Sequence, residues 1–165
     1  MVHPYTPYCP TFHYTGRYCY LLTFVTFERI EAFTDAVRVG IARSNILRAA
    51  IEQRFEIIVY CFMPDHAHLI VEGLADDSDL KQFVKLAKQY SGYYYARAYG
   101  GQKLWQHGKN DHIIRDKVDL LDRLRYVVNN PVAAGLVTRP EDYPFLGSQR
   151  WTVEEMISRL KAGAI

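Results

Sequence analysis

Glu56-Ile57-Ile58-Val59-Tyr60-Cys61-Phe62-Met63-Pro64-Asp65-His66-Ala67-His68-Leu69-Ile70-Val71-Glu72 is the stretch that decides the fold of this 165-residue chain. Glu56 to Met63 is rich in β-branched and aromatic side chains and reads as a buried strand. Pro64-Asp65 is a turn signal, and His66 to Glu72 reads as a strand returning beside the first.

Working outward, Arg17 to Phe27 is again aromatic and β-branched and predicts a strand. Thr34 or Asp35 can cap the next helix, whose apolar residues Val37, Ile41, Ile46, Leu47, Ala50 and Ile51 recur near a 3.6-residue period as far as Arg54. Downstream, Asp76-Asp77-Ser78-Asp79 places acids at the positive end of a helix dipole. That helix runs from Leu80 to about Tyr99 and stops before Gly100-Gly101. A short strand around His112-Ile113-Ile114-Arg115 follows. Asp116 can cap a third helix carrying Val118, Leu120, Leu121, Leu124, Val127 and Val128, broken at Asn130-Pro131, and a last amphipathic helix covers Val153 to Lys161.

The order β-α-β-β-α-β predicts an α+β, ferredoxin-like split βαβ fold: an antiparallel sheet with helices on one face, plus C-terminal helices. Residues 1–16, with three prolines, read as an extended N-terminal arm. Residues 17–150 read as one domain, and 151–165 as a C-terminal helix packed on or appended to it.

The composition is that of an ordered globular chain, 49% hydrophobic and 23% charged. Twenty Lys and Arg against 18 Asp and Glu do not announce a nucleic-acid binder, so the distribution of charge matters more than its sum. Cys9, Cys19 and Cys61 form no CxxC and leave an odd thiol, which favours a reducing compartment. No apolar stretch is long enough to span a membrane, and the N-terminus lacks a basic region followed by an apolar core. A soluble, cytoplasmic protein is expected.

His66 and His68 are the first chemical signal. On a strand, residues i and i+2 project to one side, about 6.6 Å apart, so two imidazoles can converge on one metal ion. The same pair is also what an incidental couple on a half-exposed strand looks like. The second signal lies sixty residues on, where Tyr126 and Asn130 share a helix face with Asp119 and Arg123. A tyrosine on an amphipathic helix is ordinarily a packing residue. It becomes a nucleophile only when a cation polarises the group it attacks, because its phenol ordinarily ionises near pH 10.

Together, His66-Ala67-His68 and Tyr126-Val127-Val128-Asn129-Asn130-Pro131-Val132-Ala133-Ala134-Gly135-Leu136-Val137 resemble the single-tyrosine HUH transposases, in particular the REP-associated tyrosine transposase group of the insertion-sequence-200-like class. Met63-Pro64-Asp65, Leu104-Trp105-Gln106, Ile113-Ile114-Arg115 and Asp142-Tyr143-Pro144 with Ser148 add to the resemblance, which spans roughly residues 16–150. It implies His66, His68 and Asn130 as metal ligands and Tyr126 as the nucleophile, leaving a 5′-phosphotyrosine and a free 3′-hydroxyl on single-stranded DNA. Two imidazoles and an amide oxygen suit Mg²⁺ or Mn²⁺ better than a closed zinc site. Two positions depart from the family pattern: Ala67 stands for a bulkier apolar residue, and Asp65 for Asn. The implied partner is hairpin-forming single-stranded DNA in a bacterial cytoplasm, with a monomer favoured over a homodimer.

Lys81, Lys85 and Lys88 share a helix face and read either as a solvated face or as a DNA-backbone contact. Arg115, Lys117, Arg123 and Arg125 are candidate phosphate contacts by their nearness to Tyr126; Lys85, Lys88, Arg115 and Arg123 are taken as the DNA-binding set. Tyr93, Tyr94 and Tyr95 read as packing and stacking surfaces, Trp105 as a core or stacking residue, and His107 and His112 as structural or surface residues. Two alternatives stay open. One is an HUH replication initiator or relaxase, although those commonly carry a second Tyr or a Lys where Asn130 stands. The other is a non-catalytic ferredoxin-like nucleic-acid-binding regulator that stacks bases on Tyr18, Tyr20, Phe24 and Phe27.

Overall fold

The computed structural model describes residues 11–108 and 110–165. Residues 1–10, with most of the expected arm and Cys9, lie outside the described residues, as does Lys109. The elements are β1 (Cys19–Val25), α1 (Ala36–Glu52), β2 (Phe55–Met63), β3 (His66–Gly73), α2 (Leu80–Ala98), β4 (Asn110–Ile114), α3 (Lys117–Ala133), β5 (Leu146–Gly147) and α4 (Val153–Ala162).

The five strands form one antiparallel sheet in the order β4-β1-β3-β2-β5. The first four give the strand order of a split βαβ fold, and the α+β ferredoxin-like expectation holds. β5 was not anticipated: two residues carry no periodicity, and only its pairing with Tyr60 and Cys61 makes it a strand.

Alternation along the strands sorts side chains into two cores. Tyr20, Leu22 and Phe24 of β1, with Ala67, Leu69 and Val71 of β3, face one side and are covered by α1 and α2 through Ile46, Ala50, Phe83 and Ala87. Leu21, Val59, Cys61 and Ile70 face the other side, under Leu124, Val127 and Val128 of α3 and Met156 and Leu160 of α4. A register shift between Ile57 and Val59 lets Ile58 and Val59 both face the second core. The two helices of the βαββαβ unit thus share one face, and the C-terminal helices take the other. His66 and His68 have the parity of Ile70, so they belong to the α3 side.

The helix starts follow their caps. Asp35, Asp79 and Asp116 each accept two backbone N–H bonds from the first turn of α1, α2 and α3, and Thr152 with Glu155 closes a capping box on α4. Arg150 pins the chain before α4 to the sheet through Glu56 and Glu72. Burial removes two base-stacking candidates. Tyr20 and Phe24 lie inside the core beneath α1 and α2, so a nucleic-acid platform on those strand aromatics does not exist.

Among the described residues, no helix is long and apolar enough to cross a membrane. Cys19 and Cys61 are free thiols, and burial pushes both up to about 12.

Candidate active site

β3 presents His66 and His68 side by side, their ring centroids 4.8 Å apart at 80°. His68 is 4% exposed. Its Nδ1 lies 3.0 Å from Oγ1 of Thr23, the residue directly opposite on β1, while its buried Nε2 has no hydrogen-bond partner among the described residues. Burial, with the His66 charge adding to it, lowers His68 to about 3, so the ring is neutral at ordinary pH. A neutral ring whose Nδ1–H donates to Thr23 Oγ1 keeps the Nε2 lone pair available to an electron-pair acceptor such as a cation.

His66 is held similarly. Its Nδ1 lies 2.6 Å from Asp65 Oδ1, and the other carboxylate oxygen accepts from Arg29 Nη1 at 3.2 Å. Burial alone would raise the Asp65 carboxyl, but the contacts with His66 and Arg29 outweigh it and hold the group below its ordinary range. The Asp65 backbone is fixed in turn, since its carbonyl accepts from both the N–H and the hydroxyl of Thr26. With both Nδ1 atoms committed, both Nε2 atoms remain for a common ligand, the usual outer support of metal-binding histidines.

α3 supplies the tyrosine. Leu124, Val127 and Val128 are buried against the sheet, which leaves Tyr126 at the edge of the stripe, 45% exposed. Its ring meets His68 edge-on, with centroids 5.3 Å apart at 69°. The half-buried Asn130 follows one turn later. The expected break at Asn130-Pro131 does not occur, because α3 runs on to Ala133 with Pro131 inside it. Pro131 forfeits one backbone bond, yet it is buried in the packed face, and the Asn130 carbonyl still accepts from Ala134 N. The helix ends instead at Ala133, just before Gly135, whose φ of 72° is the left-handed conformation glycine tolerates. Tyr126 and Asn130 therefore lie on one uninterrupted helical face.

Among the described residues no group of three or more His, Cys, Asp or Glu gathers as a metal cage. A cation here would have the two imidazoles, while Asn130 lies one helical turn beyond Tyr126 on α3. The unsatisfied Nε2 of His68 fits such an ion, and so few protein donors leave positions for phosphate oxygens and water.

The candidate phosphate contacts separate into different settings. Asp119, on the Tyr126 face of α3, accepts from Arg123 Nε at 3.0 Å and from the Arg115 N–H, and lies 3.2 Å from His112 Nε2. Burial raises the Asp119 carboxyl, but these three partners outweigh it and the net shift is downward. Arg123 is thus braced one turn before the tyrosine, whereas the Arg115 side chain is exposed. His112 proves to be part of this junction rather than a surface residue. Lys85 is exposed on α2 and Lys88 bonds the carbonyls of Gln106 and Gly108, both on the opposite side of the sheet from Tyr126.

Thr23, Arg29 and Asp119 were missed as site residues, and Asp65 was seen only as a departure from a pattern. No local signal finds Thr23, since only strand register sets it against His68. Trp105 is a core residue whose Nε1 donates to Ser91, and Tyr95 is buried with its hydroxyl bonded to Arg38.

A ferredoxin-like sheet with paired histidines on its central strand and a tyrosine helix laid across them defines a class of site, and comparison with known proteins gives the family. The IS200-like transposase model matches residues 15–129, and the chain belongs to that family. A candidate REP-associated tyrosine transposase of Haemophilus influenzae is 28% identical over 149 residues, covering 79% of this chain and 80% of the relative. The REP-associated tyrosine transposase of Escherichia coli is 30% identical over 106 residues, covering 62% of this chain and 60% of its own length. In fold, the chain is similar to a REP-associated tyrosine transposase solved bound to a REP hairpin, with a TM-score of 0.71 at 23% identity over 86% of this chain and 82% of that one. A candidate transposase from Deinococcus radiodurans shares the fold at a TM-score of 0.53 and 20% identity, over 74% of this chain and 97% of that one.

Proposed function

We propose that this chain cuts and rejoins single-stranded DNA at hairpin-forming sites, with Tyr126 as the nucleophile and His66, His68 and Asn130 holding a divalent Mg²⁺ or Mn²⁺. The observation that carries the reading is the contact between Tyr126 and His68 within one chain, beside an Nε2 that is otherwise unsatisfied. Membership of the IS200-like family and the hairpin-bound relative of the same fold support it.

In this reading the Tyr126 oxygen attacks a DNA phosphorus and the bond to the 3′ oxygen breaks. The phenol proton is lost to solvent, and the departing 3′ oxygen takes up a proton to become a hydroxyl. A 5′-phosphotyrosine remains; a second 3′-hydroxyl reverses the step and frees Tyr126. Each exchange conserves one phosphodiester, so no external energy source is required. The bound cation would supply charge stabilisation to the phosphate and the leaving oxygen. Asp65 and Thr23 meet the Nδ1 atoms of His66 and His68, which supports a ligand role for the two Nε2 atoms. The contact between Tyr126 and His68 of the same chain supports action as a monomer.

The test incubates single-stranded DNA hairpins with the protein and Mg²⁺ or Mn²⁺, followed by denaturing gels. A metal-dependent covalent adduct is expected from the native chain and none from Tyr126→Phe. An adduct that persists in Tyr126→Phe removes Tyr126 from the role.

A further inference from the structure

Arg29 ends a turn whose backbone is held in an uncommon conformation. Glu28 and Arg29 are both left-handed, with φ of 52° and 56°, and neither is glycine. That conformation crowds the Cβ of an L-residue against the following carbonyl and persists only where surrounding contacts impose it. Here Arg29 N donates to Thr26 O, Ile30 N to Phe27 O, and Phe27 N to Leu104 O. The Glu28 and Arg29 side chains are both exposed, so their own burial is not what holds the turn.

The turn follows β1 directly and grips Asp65, the residue before His66. Thr26, fully buried, pins the Asp65 backbone, because its N–H and its hydroxyl meet the same carbonyl at 3.0 and 2.8 Å. A pinned backbone does not fix where the carboxylate points, since the terminal torsion of an aspartate is broad and two-fold. Arg29 Nη1 supplies that restraint at 3.2 Å from Oδ2, while Oδ1 lies 2.6 Å from His66 Nδ1. With side chains 62% and 30% exposed, the Arg29–Asp65 pair adds little to folding, so its consequence is orientation. A carboxylate oxygen left unengaged is a hard anionic donor, which Mg²⁺ or Mn²⁺ favours over imidazole. Turned toward such an ion, Asp65 would compete with His66 Nε2 and give up its bond to Nδ1.

We propose that Arg29 is a positioning residue for the metal site, and that the left-handed turn is the device that aims it. It holds the Asp65 carboxylate as the hydrogen-bond partner of His66 and away from the cation, so that the ion is bound through imidazole. The inference rests on the reading of the two histidines as metal ligands.

The test is Mn²⁺ binding by full-length, DNA-free protein, read from the loss of the free-ion electron paramagnetic resonance signal. Thermal unfolding of the metal-free protein runs alongside. Arg29→Gly removes the guanidinium and suits the left-handed backbone. It should raise the Mn²⁺ concentration at half-saturation about tenfold, a scale typical of the partners that hold metal-binding histidines, without lowering the melting temperature. Arg29→Gln should weaken Mn²⁺ binding to a similar extent. Asp65→Asn keeps a carbonyl oxygen for the Nδ1 proton and offers the ion no charge. In that background Arg29→Gln should shift half-saturation by less than about twofold.

Unchanged Mn²⁺ affinity in both Arg29 variants would overturn the proposal, and so would an equal loss in the Asp65→Asn background. A loss of affinity matched by a lower melting temperature in Arg29→Gly would assign Arg29 to folding and overturn it as well. His68→Ala separates this inference from the reading beneath it. Native binding no tighter than that of His68→Ala would remove the metal reading and the proposal together. Binding that depends on His68 but not on Arg29 would discard the proposal alone.

Discussion

Tyr126 of α3 and His68 of β3, 58 positions apart in sequence, meet edge to face with ring centroids 5.3 Å apart. The contact joins an exposed tyrosine to a buried imidazole, so one partner can reach a polymer substrate while the other is fixed by the sheet. Several measurable consequences come from how each partner is held.

Thr23 of β1 meets the Nδ1 of His68 across the strand pair. Thr23→Val keeps the volume and removes the hydroxyl that meets Nδ1. Loss of such a support typically weakens metal binding about 10–100-fold. The expected outcome is a shift of that order in the Mn²⁺ concentration needed for half-maximal adduct formation, with the adduct restored at high metal. Calorimetric titration of Mn²⁺ into Thr23→Val protein checks it, and unchanged affinity would mean that the Thr23 bond does not act on the site.

His68 should make the fold acid-sensitive. Burial lowers it to about 3, below the ordinary value of 6.5. Between these two values the unfolded chain binds the proton and the folded chain does not, so stability rises with pH. The contribution is fully present above about pH 6.5 and is lost as pH falls toward 3, with a slope of up to about 1.4 kcal/mol per pH unit. Urea unfolding of metal-free protein at pH 7, 5 and 4 should show a shallower decline for His68→Gln than for the native chain. Parallel declines would refute the assignment.

Asp119 of α3 reaches β4 and the residue after it through His112 and the Arg115 N–H, and braces Arg123 on its own helix. Asp119→Ala should cost about 1–3 kcal/mol by leaving those donors unsatisfied. It should also slow adduct formation by releasing Arg123 beside the tyrosine. Arg123→Gln should slow the reaction with less loss of stability. Thermal unfolding and single-turnover gels on the two variants measure these effects separately, and a fully active, destabilised Asp119→Ala would assign the junction to folding alone.

Gly73 serves as a structural control. A Cβ there would collide with the Gly16 carbonyl oxygen, in backbone that has little freedom to retreat because Gly16 N is bonded to Ser78 O. Gly73→Ala should destabilise by about 1–3 kcal/mol through overpacking. Gly73 closes β3 at the end opposite His66, so adduct formation at a permissive temperature should be unaffected. Equal stability in a melting experiment would show that the Gly16 segment yields.

Elements with local signals are legible in the amino-acid order alone. Apolar periodicity and aspartate caps marked α1, α2 and α3, and the Pro64-Asp65 turn between two apolar runs marked the hairpin, because side-chain alternation and capping act within a few residues. The same alternation put His66 and His68 on one face, and the spacing of Tyr126 and Asn130 put them on one helix side. What those faces meet is set by packing between distant segments. Strand register set Thr23 against His68, packing of Leu124, Val127 and Val128 brought Tyr126 to the histidines, and burial carried α3 through Pro131. β5 exists only as a partner for β2. Such relations depend on contacts between residues far apart in the chain, which no local propensity encodes.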